Sequence, residues 1–212
     1  MASTTANRDF NKAAANWDEQ PGRIQMADDL FASFLREVPL SSDLDVLEFG
    51  CGTGLITMRL QPHVGRIVAV DSSEGMLAQL NRKVASAQAT NIETRFVDLA
   101  RGDRLEGQYD LVVISMVLHH IPEPAAIFLE FHRILRPGGR LAVLDLDAED
   151  GLFHQDPTGV HHNGFDRQAL GRDLAAAGFH SHAFSHGATV TRKRPTGGER
   201  DYSIFLAVAG KA

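Results

Sequence analysis

A short apolar segment that leads directly into three closely spaced glycines lies in the first third of the chain. Residues 46–54 read Val-Leu-Glu-Phe-Gly-Cys-Gly-Thr-Gly. Glycine adopts positive φ and lets backbone approach a ligand closely. Open α/β sheets bind ligands beyond the carboxyl ends of their strands. The segment therefore predicts a buried strand followed by a ligand-binding loop around Gly50, Gly52 and Gly54.

The spacing of the glycines and one acid ahead of them limit the kind of ligand. The loop has a G-x-G-x-G pattern, whereas the dinucleotide fingerprint requires Gly or Ala where this chain has Leu55. A dinucleotide loop seats a pyrophosphate on a helix N-terminus. Glu48 would repel a pyrophosphate and would suit an ammonium group. The pattern thus argues against a nicotinamide-dependent oxidoreductase.

Apolar strands alternate with amphipathic helices along the rest of the chain, which indicates a mostly parallel sheet covered on both faces. The predicted strands are 46–49, 67–71, 92–97, 111–114 and 141–146, and the predicted helices are 55–60, 75–89, 124–135 and 167–177. Gly138-Gly139 reads as a turn between a helix and a strand. No helix separates the last two predicted strands, within 180–190 and 203–209, which indicates an antiparallel edge. The expected fold class is a Rossmann-like, doubly wound α/β fold with seven strands.

The N-terminal segment has a helical pattern of its own. Ile24, Ala27, Leu30, Phe31, Phe34, Leu35 and Val38 recur at three- and four-residue steps and predict one apolar face. We expect residues 1–40 to form a helical N-terminal segment and residues 41–212 to form a single ligand-binding domain.

Two further acids follow the next two strands. Asp71 stands 21 residues after Gly50, at the end of the second strand, and Asp98 ends the third. A carboxylate at the first position can accept both ribose hydroxyls, and one at the second can accept from an adenine amino group. An alternative interpretation is that each acid caps the helix or turn after it. Their placement at successive strand ends favours a shared cleft.

From Asp43 to Leu146, about half of its length, the chain resembles the class I S-adenosylmethionine-dependent methyltransferases. It is most similar to the small-molecule branch, which includes quinone-biosynthesis C-methyltransferases. The landmarks occur in the family's order: the glycine loop, Val70-Asp71, Val97-Asp98-Leu99, Tyr109-Asp110-Leu111-Val112, Ser115-Met116-Val117-Leu118-His119-His120-Ile121, and Ile134-Leu135-Arg136-Pro137-Gly138-Gly139. The resemblance implies that the cofactor is S-adenosylmethionine.

The resemblance also implies roles for individual residues. Those facing the methionine part of the cofactor would be Glu48, Gly50, Cys51, Gly52, Thr53, Gly54 and the backbone of Ser115, with Arg23 pairing with the carboxylate. Those around the adenosine would be Asp71, Ser72, Met76, Asp98 and Leu99. Cys51 is interpreted as a small cofactor-side residue and not as a nucleophile. The resemblance further implies that residues 1–40 fold over the cofactor as a helical lid, in which Trp17 could stack on the substrate. The alternative is that this helix only packs on the edge of the core.

Histidines are frequent after the fourth and fifth strands. His119 is the candidate catalytic base, because an imidazole has a pKa near neutrality; the alternative is that it only packs. His154, His161 and His162 lie in a long loop with Asp145, Asp147 and Asp156, ligand types that divalent cations accept. Their spacing matches no compact metal motif, so we expect acceptor contacts or a polar loop and no metal.

Charge and composition narrow the acceptor. The net charge is −6, and the densest basic stretch is only Arg192-Lys193-Arg194, which argues against a nucleic-acid substrate and favours a small molecule. No apolar segment reaches the roughly 18–20 residues of a membrane span, and the N-terminus has no apolar targeting segment, so the expected location is cytoplasmic. The expected function is methyl transfer to an unidentified small molecule; the alternative is a non-catalytic cofactor-binding regulator. The oligomeric state stays open.

Overall fold

A computed structural model describes residues 9–194 and 197–212 and contains a seven-stranded sheet. The strands are β1 Asp45–Phe49, β2 Arg66–Asp71, β3 Ile92–Phe96, β4 Tyr109–Ser115, β5 Leu135–Leu146, β6 Ser181–Lys193 and β7 Glu199–Gly210. Their order across the sheet is β3-β2-β1-β4-β5-β7-β6. Strands β1 to β5 pair in parallel, and β7 pairs antiparallel with both β5 and β6. The predicted fold class, with its antiparallel edge, is confirmed.

Six α-helices accompany the sheet in the described part of the chain. They are α1 Phe10–Ala13, α2 Pro21–Glu37, α3 Thr57–Leu60, α4 Glu74–Ala87, α5 Pro124–Ile134 and α6 Arg167–Ala176. Short 3-10 turns occupy Ala14–Glu19, Gln61–His63, Leu99–Arg101 and Leu118–His120. Among the described residues, none of the helices combines the length and apolar character that crossing a bilayer requires.

The sheet separates two hydrophobic cores, because successive side chains of a strand point to opposite faces. On one face, Val46 and Val113 pack with residues of α2 and α4, including Phe34 and Leu80. On the other face, strand residues pack with α5 and α6, where the fully buried members include Leu47, Val112, Phe128, Phe131 and Leu174. The apolar residues of the central strands therefore contribute to the hydrophobic cores on both faces of the sheet.

Helix α2 confirms the predicted apolar face in its middle and departs from it at two positions. Ala27, Leu30 and Phe34 are buried, whereas Ile24 and Leu35 are 39% and 43% exposed. These two residues of the predicted apolar face therefore lie outside the core. Leu35 follows Phe34 by one residue, which rotates its side chain by about 100° away from the sheet. Ile24 lies in the first turn, before the helix reaches the main core.

Two boundaries also differ from their predictions. Strand β5 begins at Leu135, because Leu135 already pairs with Tyr109, and the register then shifts so that Leu111 pairs with Arg140. The predicted turn at 138–139 is thus an irregularity within β5. The predicted helix 55–60 is α-helical only from Thr57, and it continues as a 3-10 turn that contains Pro62. Proline cannot donate the backbone hydrogen bond that a continuing helix needs.

Candidate active site

A cavity of about 1430 Å³ opens beyond the carboxyl ends of the parallel strands. Most small-ligand pockets measure roughly 300–1,000 Å³, so this cavity has room for a cofactor and a second molecule. One part, which we call the acidic end, is lined by Glu48, Asp71 and Asp98. The other, the histidine end, is lined by His119, His120, His154 and Arg192.

The glycine loop forms the floor of the acidic end. Gly52 has a φ of +56°, and a Cβ added there would meet no atom within 4 Å. Gly54 has a φ of +82°, and an added Cβ would overlap the Leu80 side chain. Gly52 therefore leaves space open above the loop for a ligand, whereas Gly54 allows close packing of the loop on α4.

Asp71 holds this loop in place from the end of β2. One of its oxygens accepts from the backbone N–H of Gly52 and the other from that of Ser73, both at 2.8 Å. Burial raises the pKa of Asp71, and the amides that donate to it oppose the rise. Ser73 in turn caps α4 by accepting from the N–H of Met76. One carboxylate thus fixes both segments that border the cavity.

Glu48 is the unusual group of the acidic end. It is only 2% exposed, and its Oε2 has no hydrogen-bond partner among the described residues. Burial raises the pKa of Glu48 to about 8; the Thr57 hydroxyl opposes the rise and the charge of Asp71 adds to it. A buried carboxyl oxygen without a partner is costly. The site is therefore suited to a cationic group that would supply the missing donor.

Cys51 lies beside these acids and is buried. Burial raises the pKa of its thiol well above the ordinary value, and the charges of Glu48 and Asp71 add to the effect. A thiolate is the nucleophilic form of cysteine, so this position disfavours a nucleophile. The geometry agrees with the interpretation of Cys51 as a small residue on the wall of the cavity.

The other residues predicted around the adenosine, namely Ser72, Met76, Asp98 and Leu99, also line the cavity, as does Ser115, which was predicted near the methionine part. Strand β3 ends at Phe96, two residues before Asp98. The Asp98 carboxylate accepts from the N–H of Ala100 and pairs with Arg101 at 3.0 Å. Asp98 therefore caps the turn that follows it, as the alternative interpretation proposed, and it also lines the cavity.

The N-terminal segment lies against the glycine loop. The Thr53 hydroxyl donates to Asp18 at 2.6 Å, and Asp18 also pairs with Lys83 of α4. The Arg23 guanidinium lies 3.7 Å from the centre of the Trp17 ring and donates to the Trp17 carbonyl at 2.9 Å. The structure thus brings both residues, predicted to belong to a lid, to the rim of the cavity.

A buried His–Asp pair forms the wall of the histidine end. Nδ1 of His119 lies 2.7 Å from Oδ1 of Asp145, and both side chains are almost fully buried. Asp145 also accepts from the backbone N–H groups of His119 and Leu146. Because this carboxylate acts as the acceptor throughout, we assign the proton of the imidazole to Nδ1. Nε2 has no partner among the described residues.

Sequence reasoning placed Asp145 with the histidine loop and missed its contact with His119. The available signal was positional: β4 and β5 are neighbours, so the residues after Ser115 meet the last residues of β5. The loop histidines have other partners. His162 Nε2 lies 3.0 Å from the Ile121 carbonyl, and the N–H of His161 donates to the His119 carbonyl. Within the described ranges, no group of three or more potential ligands could hold a metal.

The chain is similar to known methyltransferases. Residues 46–139 match the family described as a methyltransferase domain. An uncharacterised methyltransferase of Synechocystis is 31% identical over 156 residues, which cover 68% of this chain and 71% of that protein. A demethylmenaquinone methyltransferase of Lactiplantibacillus plantarum is 28% identical, covering 66% of this chain and 62% of that protein.

A solved structure shares the fold. The phosphoethanolamine N-methyltransferase 2 of Haemonchus contortus, determined with S-adenosylmethionine, superposes with a TM-score of 0.69 at 14% identity. The alignment covers 87% of this chain and 52% of that one. The chain spans between 46% and 62% of the length of three curated relatives that it matches.

Proposed function

The chain belongs to the class I S-adenosylmethionine-dependent methyltransferases, and on that premise we propose that it methylates a small-molecule acceptor held in the cavity. The observation that carries the proposal is the buried Oε2 of Glu48, which lacks a donor at the floor of the acidic end. The ammonium of the cofactor's methionine part is a donor of matching charge. The bound cofactor supplies a methyl group from its sulfonium, and the sulfur is left as a neutral thioether.

The remaining residues of the acidic end fit the rest of the same molecule. Asp71 retains acceptor capacity beside its two amide donors, and it would hold the ribose hydroxyls. Gly52 leaves open space above the loop, where the ligand would lie. Arg23 at the rim would pair with the methionine carboxylate. On the adenosine side we propose Ser72, Met76, Asp98 and Leu99, and near the methionine part the loop residues 50–53 and the Ser115 backbone. Gly54 would contribute by packing the loop on α4.

The histidine end would hold the acceptor. The volume of about 1430 Å³ exceeds what one ligand needs, which supports a site for two molecules over a sealed regulator. A relative named for demethylmenaquinone supports a small acceptor. The net charge of −6 argues against a nucleic-acid acceptor. The N-terminal segment, pinned to the glycine loop through Asp18, would close over both molecules as a lid.

Holding the acceptor in line with the methyl group accounts for most of the rate enhancement in this proposal. Orientation of two reactants can lower a barrier by roughly 7–11 kcal/mol. Where the acceptor must lose a proton, His119 would take it at Nε2, because Nδ1 already donates to Asp145. Asp145 would act as a positioning residue that fixes the tautomer and orientation of the ring.

The test is a calorimetric titration with S-adenosylhomocysteine, the demethylated product form of the cofactor. We expect one-to-one binding to the wild type and an affinity at least about 100-fold lower for Asp71→Ala. The substitution removes the acceptor for the ribose and also the two charge-assisted hydrogen bonds by which Asp71 holds the backbone at Gly52 and Ser73. Asp166→Ala is the control, because Asp166 caps α6 away from the cavity. Absence of binding by folded wild-type protein would overturn the proposed function.

A further inference from the structure

The basic stretch Arg192-Lys193-Arg194 has no part in cofactor binding, and its three side chains have different environments. Arg194 pairs with Asp150, which also pairs with Arg200. Lys193 is exposed to solvent. Arg192 is the one that lines the cavity. Adjacent strand residues alternate between faces, so Lys193 points away from the face that carries Arg192, and Arg194, which follows the end of β6, is held by Asp150.

Arg192 has no anionic partner in the described structure. Its guanidinium makes no hydrogen bond or ion pair with any described residue, and its Nε is buried without a partner. The sequence at 1–8 and 195–196 contains no Asp or Glu. Burial lowers the pKa of Arg192, although a guanidinium stays protonated in proteins. A partly buried cation with unused donors is costly unless a ligand supplies the acceptor.

The surroundings of Arg192 place it at the histidine end. Its guanidinium lies 5.0 Å from the centre of the Phe153 ring, and Phe153 contacts His154, which contacts His119, with 4.9 Å between ring centres in each case. Nη1 also lies near the first turn of α2, 4.0 Å from where a Cβ on Gly22 would stand. The helix end contributes no negative charge there, because N-termini carry a positive partial charge.

The position across the sheet separates Arg192 from the glycine loop that follows β1. Strand β6 is the edge strand, four strand positions from β1, or roughly 19 Å at about 4.8 Å per strand. Its carboxyl end points the same way as those of β1 to β5, because it pairs antiparallel with β7, which pairs antiparallel with β5. Arg192 therefore faces the cavity from the side opposite the glycine loop.

We propose that Arg192 binds a carboxylate or phosphate-type group of the methyl acceptor, so that the acceptor is an anionic small molecule. This inference rests on the proposed function and adds the chemical class of its substrate. A guanidinium presents a planar pair of donors that matches a carboxylate or phosphate. The apolar wall formed by Phe153, Met26 and Leu30 would pack on the uncharged body of the acceptor.

The test uses the full chain saturated with S-adenosylhomocysteine and small aromatic probes. Benzoate and phenylphosphonate are compared with benzamide, a neutral molecule of the same shape as benzoate, by calorimetry or ligand-observed NMR. We expect at least one anion to bind the wild type about tenfold more tightly than benzamide, equivalent to about 1.4 kcal/mol. Which anion binds better distinguishes a carboxylate acceptor from a phosphate-type one.

Two variants with the same change in net charge locate the effect. In Arg192→Gln the affinities for the anions and for benzamide should differ by no more than about twofold. In Lys193→Gln the preference for the anion should persist, because Lys193 is exposed. Equal binding of anions and benzamide by the wild type, or no binding of any probe, would overturn the inference even where Arg192→Gln fails to fold. So would a preference that survives in Arg192→Gln. Failure of S-adenosylhomocysteine to bind the wild type would instead overturn the proposed function.

Discussion

The two ends of the cavity are built in different ways. At the acidic end, the bond that organises the loop joins Gly52 to Asp71, 19 residues apart, and backbone N–H groups supply the donors. At the histidine end, the side chains of His119 and Asp145 meet across 26 residues, and the His120 imidazole contacts the backbone carbonyl of Gly159 across 39. Arg192 joins them from the last part of the chain.

This contrast has a functional meaning. A cofactor shared by a whole family can be held by a loop whose backbone geometry depends on a few glycines and acids. An acceptor that differs between enzymes must be recognised by side chains that can change without disturbing the central sheet, such as those on loops and on the edge strand β6. We therefore expect substitutions at the acidic end to change cofactor affinity and those at the histidine end to change turnover.

The strongest test of this division is the His119–Asp145 pair. For His119→Asn, which retains an N–H able to donate to Asp145, we expect kcat to fall roughly 10²- to 10⁴-fold, the usual contribution of a general base. The affinity for S-adenosylhomocysteine should stay within about twofold. Transfer of labelled methyl to an acceptor found by screening measures the first quantity and calorimetry the second.

Asp145→Asn separates positioning from structure. An amide in place of the carboxylate favours the wrong tautomer of His119, so kcat should fall and its pH profile should shift while cofactor affinity is retained. A variant in which turnover and cofactor affinity fall together would show that the pair only supports the fold, and the division between the two ends would fail.

A matched pair of glycine substitutions tests the floor of the acidic end. Gly54→Ala should reduce the free energy of unfolding by about 2–4 kcal/mol, because positive φ and overlap with Leu80 both oppose a Cβ. Gly52→Ala should cost only about 1–2 kcal/mol, since its Cβ meets open space, but should lower cofactor affinity at least about tenfold. Denaturant titration and calorimetry distinguish these outcomes. Equal effects of both variants on affinity would contradict the assigned roles.

The sequence was sufficient for one side of this contrast. The strand, the glycine loop and the acids at 48, 71 and 98 form a local pattern, and the three acids and loop residues 50–53 line the cavity. The same local rules predicted helix α2 but not the exposure of Ile24 and Leu35, which depends on where the helix meets the sheet.

The histidine end required the tertiary structure. The contact between His119 and Asp145 depends on the pairing of β4 with β5, and the inward position of Arg192 depends on β6 lying at the edge beyond β7. Neither relation produces a periodicity or a spacing in the sequence. The early start of β5 also could not be read from the sequence, because it depends on a shift in the register of β4 with β5 between Tyr109 and Leu111.

Glu48 gives the acidic end a pH dependence. Its pKa is raised from 4.5 to about 8, so the folded ligand-free protein binds a proton more tightly than the unfolded chain does. The contribution of Glu48 to stability is therefore fully present below pH 4.5 and is lost as the pH rises towards 8. Glu48→Gln should remove this loss and stabilise the ligand-free protein at pH 8, by an amount of order 1–4 kcal/mol.

Cofactor binding should show the opposite dependence on the same group. An ammonium requires the ionised carboxylate, so wild-type affinity for S-adenosylhomocysteine should rise with pH between about 6 and 8, with release of a proton near neutral pH. Titrations in buffers of different ionisation enthalpy detect that proton. In Glu48→Gln the affinity should be lower and nearly independent of pH; an unchanged pH profile would assign the titration to another group.

The smallest expected effect concerns Asp18, through which the N-terminal segment contacts the glycine loop of the acidic end. Asp18 joins Thr53 of the loop and Lys83 of α4, and it is partly exposed, so Asp18→Ala should lower cofactor affinity only about threefold to tenfold. Asp28→Ala is the control, because Asp28 pairs with Arg59 and does not line the cavity. If Asp18→Ala also removed the preference for anionic probes, the contact of Asp18 with the loop would serve both ends, and the division would apply only to the sheet and its loops.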